Sequence, residues 1–437
     1  MQSLIFAKPI EGLIGSGITY IVGANNSGKT TLIEGVSIKN NSKINSSDKV
    51  EGFEPEFLVY DDSGLVRGCK LIRSESNTIK EDPQLSAEQI FEIISSRRHW
   101  ESISNSTFSV SGQGFSNSYE FKKRENSIDV ASELKFIESD DGKYWEFIAL
   151  VKRVIPEFTR FSVGYDGSDF IEYISGLGIR HKTDLLGDGV ITAIRILLHL
   201  FINKSNPLII DEPELSLHPA SQKKLLRVIA EYSQKRQIIL STHSPYFINW
   251  EYLKNGAALN RIVKIEDKNS LIFCIKDFSR YESLIRSANW QQPYLLDEVA
   301  KEILFMDENI LFLEGQEDVG LLTREEVITN ANIFGYGVRG KDNFRFALNF
   351  AKDLGYKKVC CVLDNGTSEF EIKSGLEADF SGSGYKIVQW NKDDIRDKDQ
   401  YTSTVKNGYF TAEGRKKNPE DLDDFESKVL EINQYFQ

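Results

Sequence analysis

Apolar residues come in short blocks separated by turn-forming residues along most of this chain. Thr19–Val22 is a strand-like apolar run that stops at Gly23, and Thr30–Val36 resumes at helical spacing. Upstream, Ser3–Ile21 reads as two short strands around Gly12–Gly17. From about residue 37 to 160 the pattern weakens. Phe57–Tyr60 and Val66–Ile72 alternate as antiparallel strands do, and Ala87–Trp100 carries a helical pattern through Ile90, Phe91, Ile93 and Ile94. Phe108–Phe121 is rich in Ser and Gly and predicts strand and loop, and Trp145–Val154 predicts a helix. Then the blocks sharpen. Val190, Ile191, Ile194, Leu197, Leu198 and Phe201 lie at helical spacing; Pro207–Ile210 is a buried strand; Ala220–Arg236 is amphipathic; Gln237–Leu240 is the next strand. Strand, helix, strand is the pattern of a parallel α/β sheet.

A second α/β series follows. Ile310–Leu313, Ala331–Tyr336, Lys358–Leu363 and Tyr385–Trp390 predict strands. Glu317–Ile328, Asn343–Leu354 and Asp421–Phe436 predict helices. Ser279–Asn309 reads as largely helical after Pro293 and separates the two series. The division expected is therefore 1–278 with an insertion at about 40–165, a helical linker at 279–308, and a second α/β domain at 309–437.

Composition narrows the setting. The chain has 437 residues and a formal net charge of -12, which argues against a protein that coats nucleic acid non-specifically. It contains no run of about 18 apolar residues and no basic-then-apolar start, so neither a membrane span nor a signal peptide is expected. Cys69, Cys274, Cys360 and Cys361 show no metal-ligand spacing, and a reducing cytoplasm fits them best.

Two groups of residues carry chemistry. Gly23-Ala24-Asn25-Asn26-Ser27-Gly28-Lys29-Thr30 fits the phosphate-binding P-loop, G-x-x-x-x-G-K-[ST], with Thr31 next in the helix. Glycines at 23 and 28 permit the turn, backbone N–H groups and a helix N-terminus face an anion, Lys29 reaches the outer phosphates, and the Thr30 hydroxyl holds Mg²⁺. Asp211-Glu212-Pro213 ends an apolar strand, placing Asp211 to hold Mg²⁺ and Glu212 to polarise a water. His243 ends the following strand, near where a γ-phosphate would sit, and is a catalytic candidate with Glu212. In the second series, Glu314 and Asp364 end apolar strands and Asp318 sits in the first turn of a helix. Carboxylates converging at strand ends suit Mg²⁺ or Mn²⁺ and metal-assisted phosphodiester chemistry.

The order P-loop, Leu186-Gly187-Asp188-Gly189, Asp211-Glu212-Pro213, Ser241-Thr242-His243-Ser244 resembles the ATP-binding-cassette type of ATPase, in its soluble branch that includes the chromosome-maintenance heads. The resemblance covers 1–45 and 180–265. It implies a homodimer, or a higher homo-oligomer, closing on ATP, with Gly187 and Gly189 capping the nucleotide of the other subunit. Glu314-Gly315-x-x-Asp318 followed by Asp364 resembles a TOPRIM domain, and Arg339-Gly340-Lys341-Asp342-Asn343 is similar to a stretch between such motifs. ATPase followed by TOPRIM resembles the overcoming-lysogenisation-defect (OLD) family of endonucleases. The resemblance implies DNA as substrate, Glu314 as acid/base and metal ligand, Asp318 and Asp364 as metal ligands, a role in anti-phage defence, and a restraining protein or nucleic-acid partner.

One departure stands out: the family's D-x-D at the second strand is Asp364-Asn365-Gly366 here. Asn365, Glu369, Asp394 and Asp397 are the candidates to complete the site, and Lys392, Lys406 and Lys416 the candidates to stabilise the transition state. The competing reading is an ATP-driven, DNA-sensing or regulatory ATPase with a non-cleaving TOPRIM. A transporter ATPase subunit fits the P-loop and leaves the late carboxylates without a purpose.

Overall fold

The computed structural model describes residues 3–37, 56–61, 64–71, 79–81, 92–94, 130–165, 169–175, 178–182, 187–202, 207–266, 269–275, 278–281, 301–306, 309–398 and 406–437. Two compact units emerge, one of Ile5–Ile21 with Gly28–Ala258, the other of Met1–Leu4, Val22–Ser27 and Leu259–Gln437.

In the first unit, β1 (Ile18–Val22) precedes the P-loop in the chain and α1 (Lys29–Ser37) follows it, while Val22–Ser27 group with the second unit. Three small antiparallel strands follow, β2 (Glu56–Asp61), β3 (Gly64–Leu71) and β4 (Ile79–Glu81), and then β5 (Glu92–Ile94). Helices α2 (Val130–Glu138) and α3 (Asp141–Val154) precede an antiparallel sheet of β6 (Phe158–Tyr165), β7 (Asp169–Ser175) and β8 (Arg180–Lys182). Asp140 caps α3 by accepting the N–H groups of Gly142 and Lys143. Then come α4 (Asp188–Ile202), β9 (Leu208–Asp211), α5 (Pro219–Tyr232), β10 (Ile238–Ser241) and α6 (Trp250–Lys254). Strands β1, β10, β9 and β5 pair in parallel in that order. They are buried along their length, which is why they read as continuous apolar runs. Parallel pairing brings the ends of β1, β9 and β10 to one edge.

The second unit holds the antiparallel pair β11 (Ala258–Glu266) and β12 (Asn269–Ile275), and a parallel sheet in the order β14-β13-β15-β16. The elements are β13 (Asn309–Leu313), α7 (Gln316–Arg324), β14 (Asn332–Ile333), α8 (Phe344–Asp353), β15 (Lys358–Leu363), α9 (Thr367–Phe380), β16 (Lys386–Gln389) and α10 (Pro419–Phe436). Leu311, Leu313, Val362, Trp390, Tyr409, Phe410 and Phe425 are central to its core. Cys360 and Cys361 point to opposite faces of β15 and are both buried, because helices cover both faces of a parallel sheet.

Several elements differ from the pattern-based expectation. Residues 3–10 form no strand; they are tied down by Ala7 N–H donating to Thr19 Oγ1 at 2.9 Å. Within the expected helix at 87–100, Glu92–Ile94 is a strand, because pairing with Leu208–Ile210 outweighs a short helical pattern. Helix α9 escapes the pattern, since only Leu376 and Phe380 of its residues are buried and Phe370 lies in solvent. Strands β6–β8 were also not legible. The readings for Phe108–Phe121 and for most of the 279–308 linker fall outside the described residues; the described helical pieces of the linker include the short 3-10 turns Phe278–Tyr281 and Glu302–Leu304.

Candidate functional site

The P-loop geometry follows from its glycines. Gly23 has φ +150°, and a Cβ there would lie 2.3 Å from Ile262 O. Asn26 and Gly28 also adopt positive φ, 61° and 99°, which turns the chain sharply before α1. Ser270 Oγ donates to Ser27 O at 2.7 Å and pins the loop. Asn25 and Asn26 are exposed, Thr31 is exposed, and Thr30 is half-buried. Lys29 is only 5% exposed. Burial pushes its amine pKa down while Glu212, Asp211 and Glu214 pull it back up, so this lysine faces three carboxylates. A buried ammonium at a helix N-terminus after Gly28, among carboxylates, fits a nucleotide polyphosphate with Mg²⁺.

Opposite Lys29, Asp211 is buried at the end of β9. Glu212 takes the left-handed φ of 48°, and its N–H donates to Ser241 O at 2.8 Å. His243 Nε2 lies 3.6 Å from Glu212 Oε1 and 3.7 Å from Glu214 Oε1. Lys29, Asp211, Glu212 and His243 are thus brought together within the first unit, and Glu214, which the ATPase resemblance puts in the D-loop region, joins them. Gly187 and Gly189 open α4. Gly187 is exposed with nothing near its Cβ direction, whereas a Cβ on Gly189 would meet Ser216 O at 2.1 Å. Packing within the chain already requires the second glycine.

In the second unit, β13 and β15 are parallel neighbours with Leu313 opposite Val362, so Glu314 and Asp364 leave adjacent strands side by side. The Asp364 N–H donates to Glu314 Oε2 at 3.4 Å. Gly315 lets the chain turn into α7, where Asp318 Oδ2 accepts the Gly315 N–H at 2.9 Å. The third acid is Asp394, after β16: its Oδ1 accepts the N–H of Ile395, and its Oδ2 lies 2.5 Å from Lys398 Nζ and 3.2 Å from Lys406 Nζ. Asp318, Asp364 and Asp394 are all buried, and each offers one oxygen within 4.8 Å of the others. Asp318 Oδ1 and Asp364 Oδ1 are buried without a hydrogen-bond partner. Orphaned carboxylate oxygens converging in this way fit a hard divalent cation. Burial, followed by mutual repulsion, raises the pKa of Asp318 to about 7 and that of Asp364 to about 8; burial also raises that of Glu314.

The open choices narrow here. Asn365 is exposed and its amide donates to Asn391 O, away from the acids. Glu369 pairs with Lys341 at 2.7 Å, and Asp397 with Lys417. Among the three late lysines, Lys392 pairs with Asp421 and Lys416 with Glu325, while Lys406 reaches Asp364 at 3.6 Å as well as Asp394. Lys398 was missed; its only sequence signal is its place four residues after Asp394.

Comparison with known proteins adds the following. The family described as "AAA domain, putative AbiEii toxin, Type IV TA system" matches residues 18–249, more than half of the chain. An uncharacterised protein of Methanocaldococcus jannaschii is 26% identical over 159 residues, 36% of this chain and 18% of that protein, so the match spans less than a fifth of the relative's length. Among solved structures, the SMC head domain from Thermotoga maritima aligns with 63% of this chain and all of its own, at 14% identity and TM-score 0.34. An SMC head bound to the C-terminal winged-helix domain of ScpA aligns with 61% of this chain and 92% of its own, at 13% identity and TM-score 0.39.

Proposed function

The chain belongs to the family of AAA domains described as putative AbiEii toxins of type IV toxin–antitoxin systems, a P-loop ATPase family, and from that premise we propose that it is also a divalent-metal-dependent DNA endonuclease of the OLD type. The observation that carries the nuclease half is the buried trio Asp318, Asp364 and Asp394 with two orphaned oxygens. Asp318, Asp364 and Asp394 would hold a Mg²⁺ or Mn²⁺ ion, which would supply Lewis-acid polarisation of a phosphodiester there. Glu314, its pKa raised by burial, is the proton acceptor beside it. Lys406 places a positive charge where the departing oxygen gains a negative one. Asp394, from the loop after the next strand, brings a third carboxylate to Asp318 and Asp364 in a chain whose D-x-D position carries Gly366.

ATP sets the arrangement of a homodimer and gates cutting, because phosphodiester hydrolysis itself needs no ATP. A gated nuclease of this kind suits an anti-phage effector held in check by a partner. The test is plasmid nicking with Mg²⁺ or Mn²⁺. Glu314→Gln is expected to lower the rate at least about a hundredfold with ATP hydrolysis unchanged. Nicking by the variant at the parent rate would remove the nuclease and leave the regulatory, DNA-sensing ATPase as the reading.

A further inference from the structure

Three residues after Asp211, the turn between β9 and α5 buries a second carboxylate. Glu214 is 7% exposed. The turn around it is tightly made: Leu215 N–H donates to Glu212 O, Leu217 N–H donates to Glu214 O, and Ser216 adopts φ 58°. Glu214 Oε1 accepts the His243 N–H at 2.9 Å and lies 3.7 Å from Nε2 of the same residue. One oxygen therefore accepts the main-chain N–H of His243 and lies beside its ring without a hydrogen bond to it. Glu212 Oε1 lies 3.6 Å from that same Nε2 but is more exposed, 22% against 7% for the two side chains.

The grip is braced from behind. Gln222 on α5 donates to Leu217 O at 2.8 Å and Glu214 O at 3.4 Å, and its Oε1 accepts the Ser244 hydroxyl at 2.6 Å. The Ser244 N–H in turn donates to Thr242 Oγ1 at 3.0 Å. The turn after β9 and the loop after β10 are thus one hydrogen-bonded unit with His243 at its tip. Burying a carboxylate costs several kcal/mol unless its partners use it. The partners here are His243 and the charge field around Lys29.

We infer that Glu214 is a positioning residue for ATP hydrolysis: it fixes the backbone of His243, and its carboxylate borders the ring, so that the imidazole is held toward the γ-phosphate. The inference rests on the sequence reading that puts His243 near the γ-phosphate, and is independent of the nuclease centre.

Steady-state ATPase kinetics on the full chain test it. His243→Ala and Glu214→Ala are each expected to lower kcat by about a hundredfold with KM for Mg-ATP within about threefold of the parent. The double variant is expected to be no slower than His243→Ala, because residues acting through one another are not additive. Glu214→Gln keeps an acceptor for the His243 N–H and is expected to recover kcat to within about tenfold of the parent. If Glu214→Ala does not fold, Glu214→Asp, which withdraws the acceptor by one methylene, is measured in its place with the same non-additivity expected. Multiplying losses in the double variant, a raised KM at parental kcat, or a Glu214→Gln variant as slow as Glu214→Ala would each overturn the inference and leave His243 in place. A His243→Ala variant with parental kcat would overturn the assignment of His243, and the inference with it.

Discussion

Asp318 and Asp364 are pulled in two directions by one arrangement. In an unfolded chain each ionises near pH 4; in the folded chain burial and like charge delay this to about pH 7 and 8. Between those limits the folded state holds more protons than the unfolded one, so stability falls as pH rises from about 4 to 8. Asp364→Asn removes one of these charges. In EDTA at pH 8 the variant should be more stable than the parent by about 2–4 kcal/mol, and the difference should vanish near pH 4. Urea unfolding of both proteins at the two pH values measures this; a variant less stable than the parent at pH 8 would contradict it. The same substitution should abolish Mn²⁺ binding in calorimetry. A group kept at a cost to stability and needed for a cation is how a functional acid differs from a structural one.

Element by element, what the sequence could announce depended on whether the signal was local. Gly23 to Lys29, Asp211 and Glu212 were legible because strand, turn and helix follow one another within a few residues. Glu314, Asp318 and Asp364 could be named individually because each sits at the end of an apolar block. Asp394 could only be offered beside Asp397, because the loop after β16 has no periodicity and the choice is made by its approach to Asp318 and Asp364, which are distant in sequence. Glu92–Ile94 misled for a related reason: three residues are too few to display a period, and β9 decided their state. Glycines show the same limit. Gly187 and Gly189 look equivalent in sequence, yet only the second is wedged against Ser216 O. Gly189→Ala should therefore lower stability by about 2 kcal/mol or more, while Gly187→Ala should change it by less than about 0.5 kcal/mol. Thermal unfolding of the pair distinguishes them, and equal melting temperatures would mean that the start of α4 is free to shift.

For the molecule as a whole, charge is the constraint on the proposed substrate. A chain with a formal net charge of -12 repels a polyanion, and the late basic run gives little back, since Lys416 and Lys417 already pair with Glu325 and Asp397. Binding DNA at the acid trio would bring phosphate against three buried carboxylates, and only a bound cation reverses that sign locally. Duplex DNA affinity should therefore depend on a divalent ion. Ca²⁺ takes the same oxygen ligands as Mg²⁺ with looser geometry, and serves to separate binding from cutting. Fluorescence anisotropy with a labelled duplex should show affinity rising at least about tenfold when Ca²⁺ replaces EDTA at fixed ionic strength, which must be held constant because phosphate contacts are salt-sensitive. Asp364→Asn should lose that gain while hydrolysing ATP as the parent does, and Lys29→Ala should lose ATP hydrolysis while keeping the gain. If the Ca²⁺ effect persists in Asp364→Asn, DNA is held elsewhere on the chain and the acid trio serves a different substrate.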